Sequence, residues 1–454
     1  MHLAKENVDL FLTRKREKRA RKKRRLALLA KLARARAKLH SNEKATVFGP
    51  TSIIASLLSK AASSSLALPQ TSLHLKVPAT FSMLADPDTA LAMVCSFAKT
   101  HREKIISDVF VDLEGIKEQD LGAHALLDKL VEEMVVQTKY QGARMGWKGN
   151  FPIDPARKRF VMAMGIIRQL GLTDRYLKLN EAKKIHLFER RCRHYIRQVK
   201  PVNPEDKSAQ ANAAQRFVDH VSKCLAREGR DLTNEGRSTL CNYVVEVIDN
   251  AENHAGMVDW TIQGYVDMAM TEPQCEIVVF NFGKSIAETL EELPADSYTM
   301  KQIHKYLELH STNGWFTPKW RREDLLTLIA LQGSVSSKND SENSTRGQGT
   351  ADLIEFFQQM NDERTIEGNT AASMYIVSGS TRILFDPKYR LIRDEEGRRV
   401  IAFNQANDLN EPPDSTCVMP LKSGSRLPGT MIGIKFAVKS DLTQPVVDAP
   451  ESNK

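Results

Sequence analysis

One helix limits what this chain can fold into. Residues 244–256 place Glu246, Asn250 and His254 at four-residue intervals, which on a helix sets the three side chains along one stripe. Val244, Val245, Val247, Ile248 and Ala251 fill the other faces, so the helix is expected to be largely buried. Each polar group of such a stripe needs a partner, because one left unmet costs on the order of 1–3 kcal/mol. The stripe therefore either faces solvent or binds something. His254 falls at the helix end, where the carboxyl-terminal dipole is enough to account for it.

Charge divides the chain. It has 454 residues, room for about two or three domains, and a formal net charge of +9. Residues 1–40 hold fifteen Lys and Arg against three Asp and Glu, which leaves −3 for residues 41–454. The run 14–38 lacks Gly and Pro and is built from Arg, Lys, Ala and Leu, so a single basic helix is expected. Such an arm suits a nucleic-acid backbone or an anionic membrane surface; equally, it is a solvated arm resting on a partner. It has no interleaved aromatics for base stacking. Residues 41–70 are rich in Ser, Ala and Thr and form a linker with one short helix, so 1–70 is arm and linker. The six cysteines form no Cys-x-x-Cys pair and suit buried thiols in a reducing compartment. No run of eighteen apolar residues suggests a membrane span, and no secretory signal is seen, so the expected location is cytoplasmic.

Residues 71–205 are expected to form an α/β domain. Leu73–Val77 alternates as a strand, 88–101 is helical, and 108–113 is a buried strand. A strand, a short turn and a helix start follow over 114–127. Residues 140–154 are an excursion, and 157–172 the last helix. A charged strand-like run, 183–191, precedes Pro201 and Pro204, which mark a boundary near 200–212. The strand ending in Asp112-Leu113, followed by loop and helix, resembles the STAS domain of anti-sigma-factor antagonists. Where phosphorylatable members carry a serine, this loop carries Asp120, so the resemblance implies a fixed docking or regulatory module. A plain α/β domain explains the same pattern.

Residues 206–445 contain the helix described first. Two helices span 214–255, then strands 258–270 and 275–280. The second strand runs into Asn281-Phe282-Gly283, where glycine lets the backbone turn close to a ligand. A polar segment containing Lys338 leads to Gly347-Gln348-Gly349 and a helix. Gly-x-Gly before a helix gathers N–H groups and the positive helix end at one point, a ready anion site. Residues 373–385 form a strand pair or one long strand. Residues 386–426 are an insert without a readable role, and 427–436 is a final alternating strand carrying Thr430.

This order, over about 214–440, resembles the Bergerat (GHKL) ATP-binding fold of DNA gyrase, the MutL mismatch-repair proteins, the large heat-shock chaperones and histidine kinases. The resemblance implies an α+β two-layer sandwich that binds ATP with Mg²⁺. By that resemblance Asn250 coordinates the metal, and Glu246 either activates water or is structural. Asn281 stands where the family usually has Asp, so it could accept from the adenine amino group without the charge-assisted part. Gly283 lets adenine approach the backbone, Gly347 and Gly349 give N–H groups to phosphates, and Thr430 supports adenine. Lys338 reaches phosphate or is a solvated loop lysine. Three functions fit: an ATPase switch whose lid controls a partner protein, a protein kinase of the histidine or anti-sigma type, and a non-catalytic nucleotide-sensing scaffold whose arm binds nucleic acid. A homodimer is compatible with each. Against the histidine type, no His-Glu or His-Asp lies on an amphipathic helix upstream.

Overall fold

The computed structural model describes residues 53–58, 72–103, 106, 108–140, 145–163, 167, 184–192, 209–254, 260–270, 272–312, 321–332, 348–362, 372–395, 397–422, 424–438 and 442–445. The basic arm 14–38 lies outside them, as do Lys338 and Gly347.

The N-terminal unit starts with α1 (Ile53–Leu58). It continues through β1 (Ser72–Lys76), β2 (Thr80–Phe81), α2 (Pro87–Glu103), β3 (Asp108–Asp112), β4 (Glu118–Gln119), α3 (Leu121–Tyr140), β5 (Gly146–Gly149) and α4 (Pro155–Ala163). Its three longer helices each start at an aspartate that accepts a backbone N–H of the first turn. Asp86 takes Thr89 N at 3.1 Å, Asp120 takes Ala123 N at 2.8 Å and Asp154 takes Arg157 N at 2.8 Å. Pro87 and Pro155 sit at the first helical position, where a missing N–H costs nothing. Strands β1, β3 and β5 pair in parallel. The expected excursion 140–154 thus supplies a third strand, held by backbone pairing because Gly146, Lys148 and Gly149 offer no apolar run.

The rest of the chain builds one large sheet. In order come β6 (Ile185–Cys192), α5 (Ala209–Leu225), β7 (Arg230–Leu232), α6 (Asn234–His254), β8 (Trp260–Asp267), β9 (Gln274–Phe282), α7 (Ile286–Glu291), α8 (Tyr298–Thr312) and α9 (Arg322–Ile329). Then follow α10 (Gln348–Asp362), β10 (Ser373–Gly379), β11 (Thr381–Phe385), the small hairpin β12 (Ile392–Arg393) with β13 (Arg399–Val400), β14 (Val418–Pro420), β15 (Leu427–Ala437) and β16 (Thr443–Pro445). The seven-stranded sheet runs β14-β11-β10-β15-β9-β8-β6. Every neighbouring pair in it is antiparallel.

Alternation along these strands produces two apolar faces. Ile262, Ile277, Val279, Ile432 and Ile434 face the layer of α5, α6 and α10, through Phe217, Val244, Val247 and Phe357. Tyr265, Val278, Phe280, Tyr375, Val377 and Met431 face the other way and share a core with Met83, Leu121 and Leu127 of the N-terminal unit. A sheet apolar on both faces needs cover on both. The mixed α/β class is as expected, but the molecule has three layers: helices, sheet, and the N-terminal unit. Residues 209–445 with β6 make the first two.

The charged run expected within 71–205 does not belong to the N-terminal sheet. As β6 it pairs with β8, Ile185 opposite Asp267 through Cys192 opposite Trp260, and forms an edge of the large sheet. Polar contacts surround the apolar interface. Arg159 meets Asp267 at 3.2 Å, and Lys129 meets Glu189 at 3.5 Å. Among the described residues, no helix is long and apolar enough to cross a membrane.

Candidate functional site

The constraining helix is α6, now seen whole. Thr233 precedes it and accepts Gly236 N at 3.0 Å, fixing its start. Val244, Val247 and Ile248 are buried in the helix-side core, and Glu246 is half-buried. Asn250 and His254 lie in the last turns, where side chains are outside the description. Tyr243, one turn before Glu246, stacks on Phe356 of α10 with ring centroids 4.6 Å apart. That contact joins α6 to the helix whose first turn contains Gly349.

Beneath these helices the sheet changes character at one rung. Asn281 of β9 stands opposite Thr430 of β15 and opposite Trp260 of β8. Thr430 stands opposite Ser378 of β10, which stands opposite Thr381 of β11. Directly opposed residues share a sheet face, and this one is the helix-side face. Along β9, β10 and β15 it is otherwise built from Ile277, Val279, Met374, Ile376, Ile432 and Ile434, with Cys275; here it carries Asn281 and Thr430, each 1% exposed, and Ser378, fully buried.

The polar side chains of the rung are linked. Thr430 N donates to Asn281 Oδ1 at 3.0 Å. The Ser378 and Thr430 hydroxyls are 2.8 Å apart, and Ile286 N donates to Ser378 Oγ at 2.8 Å. Thr381 Oγ1 donates to the buried Asp324 at 2.6 Å. Gly283 N donates to Pro428 O at 3.2 Å, tying the turn after β9 to the start of β15. Gly429 carries φ +127°, and a Cβ there would stand 2.2 Å from Asn281 O. Only glycine allows that close approach.

The rung is braced from behind. Ser285 and Glu288 form a capping box at the start of α7. Arg426 bridges Glu288 at 2.5 Å and Glu323 at 3.1 Å, and Glu323 accepts Ser380 N at 2.9 Å. Asp324, held by Arg321 at 2.8 Å, accepts from Thr381. The turn between β10 and β11 is thereby locked to α9.

Of the residues singled out in the sequence, Asn281, Gly283 and Thr430 come together in this rung and its turn. Glu246, Asn250 and Gly349 lie on the two helices above it. Thr430's hydroxyl is engaged by Ser378, and Asn281's carboxamide oxygen holds a backbone N–H. Ser378, Trp260 and Asp324 were missed. Ser378 and Trp260 become visible only through strand register, and Asp324 only through its contact with Thr381.

The chain matches no family model, no curated protein and no solved structure. Its chemistry has to be argued from its own residues.

Two further groups shape the region behind the sheet. Glu276, five residues before Asn281, points to the opposite face. It accepts Leu121 N at 2.8 Å and the Tyr265 hydroxyl at 2.7 Å. Burial pushes its carboxyl up to about 7, against a counteracting pull from Lys435. Asp120, in the loop before α3, is buried and accepts Ser82 Oγ at 2.6 Å and Leu84 N at 2.8 Å. Its burial raises its pKa as well. Asp120 thus holds the start of α3 instead of facing solvent. Among the described residues no group of three or more His, Cys, Asp or Glu is arranged to hold a metal.

Proposed function

We propose that residues 209–445 bind an adenine nucleotide with Mg²⁺ and act as an ATPase switch. The observation that carries this is the Asn281–Thr430–Ser378 rung: buried polar side chains at the end of apolar central strands, on the sheet face that α5, α6 and α10 cover. Such groups are conspicuous because buried polar side chains must be hydrogen-bonded, as these are to one another, and their placement suits an edge-on contact to a flat heterocycle. The sequence order of helix, glycine turn, Gly-x-Gly helix and Gly-Thr strand supports the same assignment.

In this scheme Asn281 and Thr430 would orient the base, and the N–H groups at Gly347 and Gly349 would take phosphate oxygens with help from the α10 dipole. Asn250 would offer its carboxamide oxygen to Mg²⁺, which takes its remaining ligands from phosphate and water and so needs no carboxylate cage. Bound Mg–ATP would supply the transferable phosphoryl group and neutralise its charge. Glu246, one turn before Asn250, would position a water and accept its proton. On the sheet's far face the N-terminal unit is the element on which a change in the sheet would act.

Incubation of the full chain with γ-labelled ATP and Mg²⁺ tests this. Free labelled phosphate is expected; label on the protein would make it a kinase. Glu246→Ala should keep ATP binding and lose at least 100-fold in phosphate release, on the order of the general-base contribution. Asn250→Ala should remove the Mg-dependent part of binding, and unchanged binding would overturn the assignment.

A further inference from the structure

Trp260 opens β8 and stands in register with Asn281. It is 3% exposed, on the helix-side face with Ile262 and Val266. Its indole nitrogen is buried and has no hydrogen-bond partner among the described residues. Indole Nε1–H is a donor only, and buried tryptophans normally give it an acceptor. Around it the other polar groups of the rung are engaged with one another: Thr430 N with Asn281, Ser378 with Thr430, Ile286 N with Ser378. Among the described residues the indole N–H is left over, at the end of the central strands where their helix-side side chains turn polar.

We propose that Trp260 is a specificity-determining residue that donates its indole N–H to a ring nitrogen of a purine base lying along the rung. This rests on the nucleotide assignment above and names the part of the ligand that the rung reads. From Trp260 to Thr430 is two strand spacings, roughly 10 Å, a span that a bicyclic base with hydrogen bonds at both ends bridges and a single pyrimidine ring does not. An adenine perimeter carries three unprotonated ring nitrogens, each a fit acceptor for a lone N–H donor. A donor without an alternative acceptor also discriminates: an analogue that lacks the matching nitrogen leaves the indole N–H unmet, which is how a hydrogen-bonding site rejects an analogue that lacks the group it reads.

The test uses the full-length chain and calorimetric binding of ATP, 1-deaza-ATP, 3-deaza-ATP and 7-deaza-ATP in the presence of Mg²⁺. One of the three analogues is expected to bind about tenfold more weakly than ATP. Trp260→Phe should bind ATP more weakly by a similar factor and treat ATP and that analogue alike. Equal affinity for all four nucleotides, or discrimination that survives in Trp260→Phe, overturns the proposal. A wild-type chain that binds no ATP overturns the nucleotide assignment itself, a result distinct from the other two. Should Trp260→Phe fail to fold, ultraviolet resonance Raman of the wild type replaces it. ATP should shift the indole N–H band of one of the four tryptophans toward a hydrogen-bonded position, the discriminated analogue should not, and an unshifted band with ATP overturns the proposal.

Discussion

Ser378 is the residue through which the rung and its scaffold meet. Its hydroxyl accepts Ile286 N and touches the Thr430 hydroxyl, joining α7 to the sheet. Ser378→Ala should lower the free energy of unfolding by about 1–3 kcal/mol, because Ile286 N is then buried without an acceptor. Equilibrium urea denaturation measures it, and a change under 0.5 kcal/mol, roughly what a surface substitution gives, would refute the linkage. Asn281 and Thr430 were legible in the sequence because glycine punctuation brackets them. Ser378 and Trp260 were not. A serine before a turn and a tryptophan at a strand start are ordinary, and they gain meaning only when strands far apart in the chain are brought into one register.

At the scale of elements, β9 is a strand with a job on each face. Asn281 looks toward the helices and Glu276 toward the N-terminal unit, where it takes the first N–H of α3. Its carboxyl titrates at about 7 in the folded chain, above its ordinary value of 4.5. The folded state therefore holds more protons than the unfolded one between these values, and Glu276's contribution is complete below about 4.5 and lost as pH rises to about 7. That slope is worth on the order of 3 kcal/mol. His124 opposes it: burial lowers its pKa to about 3, so its contribution is present above 6.5 and lost as pH falls. The wild-type profile mixes these with the buried Asp120, whose pKa is also raised, so the sharp readout is a difference. Glu276→Gln should flatten the part of the stability curve that declines from pH 4.5 to 7, as measured by denaturation at four pH values. A difference between the two proteins that stays constant across that window would show that Glu276 is ionised throughout. Elements differed in how readable they were. Strands β9 and β15 and helix α6 announce themselves through long, regular apolar periods. β5 does not, because two glycines and a lysine leave no pattern to read. β6 was visible as a strand but not in its destination, since its run of Glu189, Arg190 and Arg191 suits the edge of either sheet.

At the scale of the molecule, the N-terminal unit is structural cover as well as a separate fold. It hides Tyr265, Val278, Phe280, Tyr375, Val377 and Met431. Residues 184–454 expressed alone should expose that face as one apolar patch, larger than monomers usually tolerate. The expected outcome is aggregation, seen as void-volume elution in size exclusion; a monomeric, soluble product would show that the cover is dispensable. Domain class was readable from the alternation of strands and helices. The union of the two units was not, because nothing local in either half says that the sheet is apolar on both faces.

The order of the chain gives this arrangement a consequence in time. Helix α4 of the N-terminal unit ends at residue 163, yet the surface that this unit covers includes β15, which ends at residue 437. At bacterial-to-eukaryotic synthesis speeds the interval between them is on the order of 15–60 s. For that time the apolar side of α3 leaves the ribosome without its partner. Until β15 is made, that face is the part of the nascent chain most exposed to aggregation.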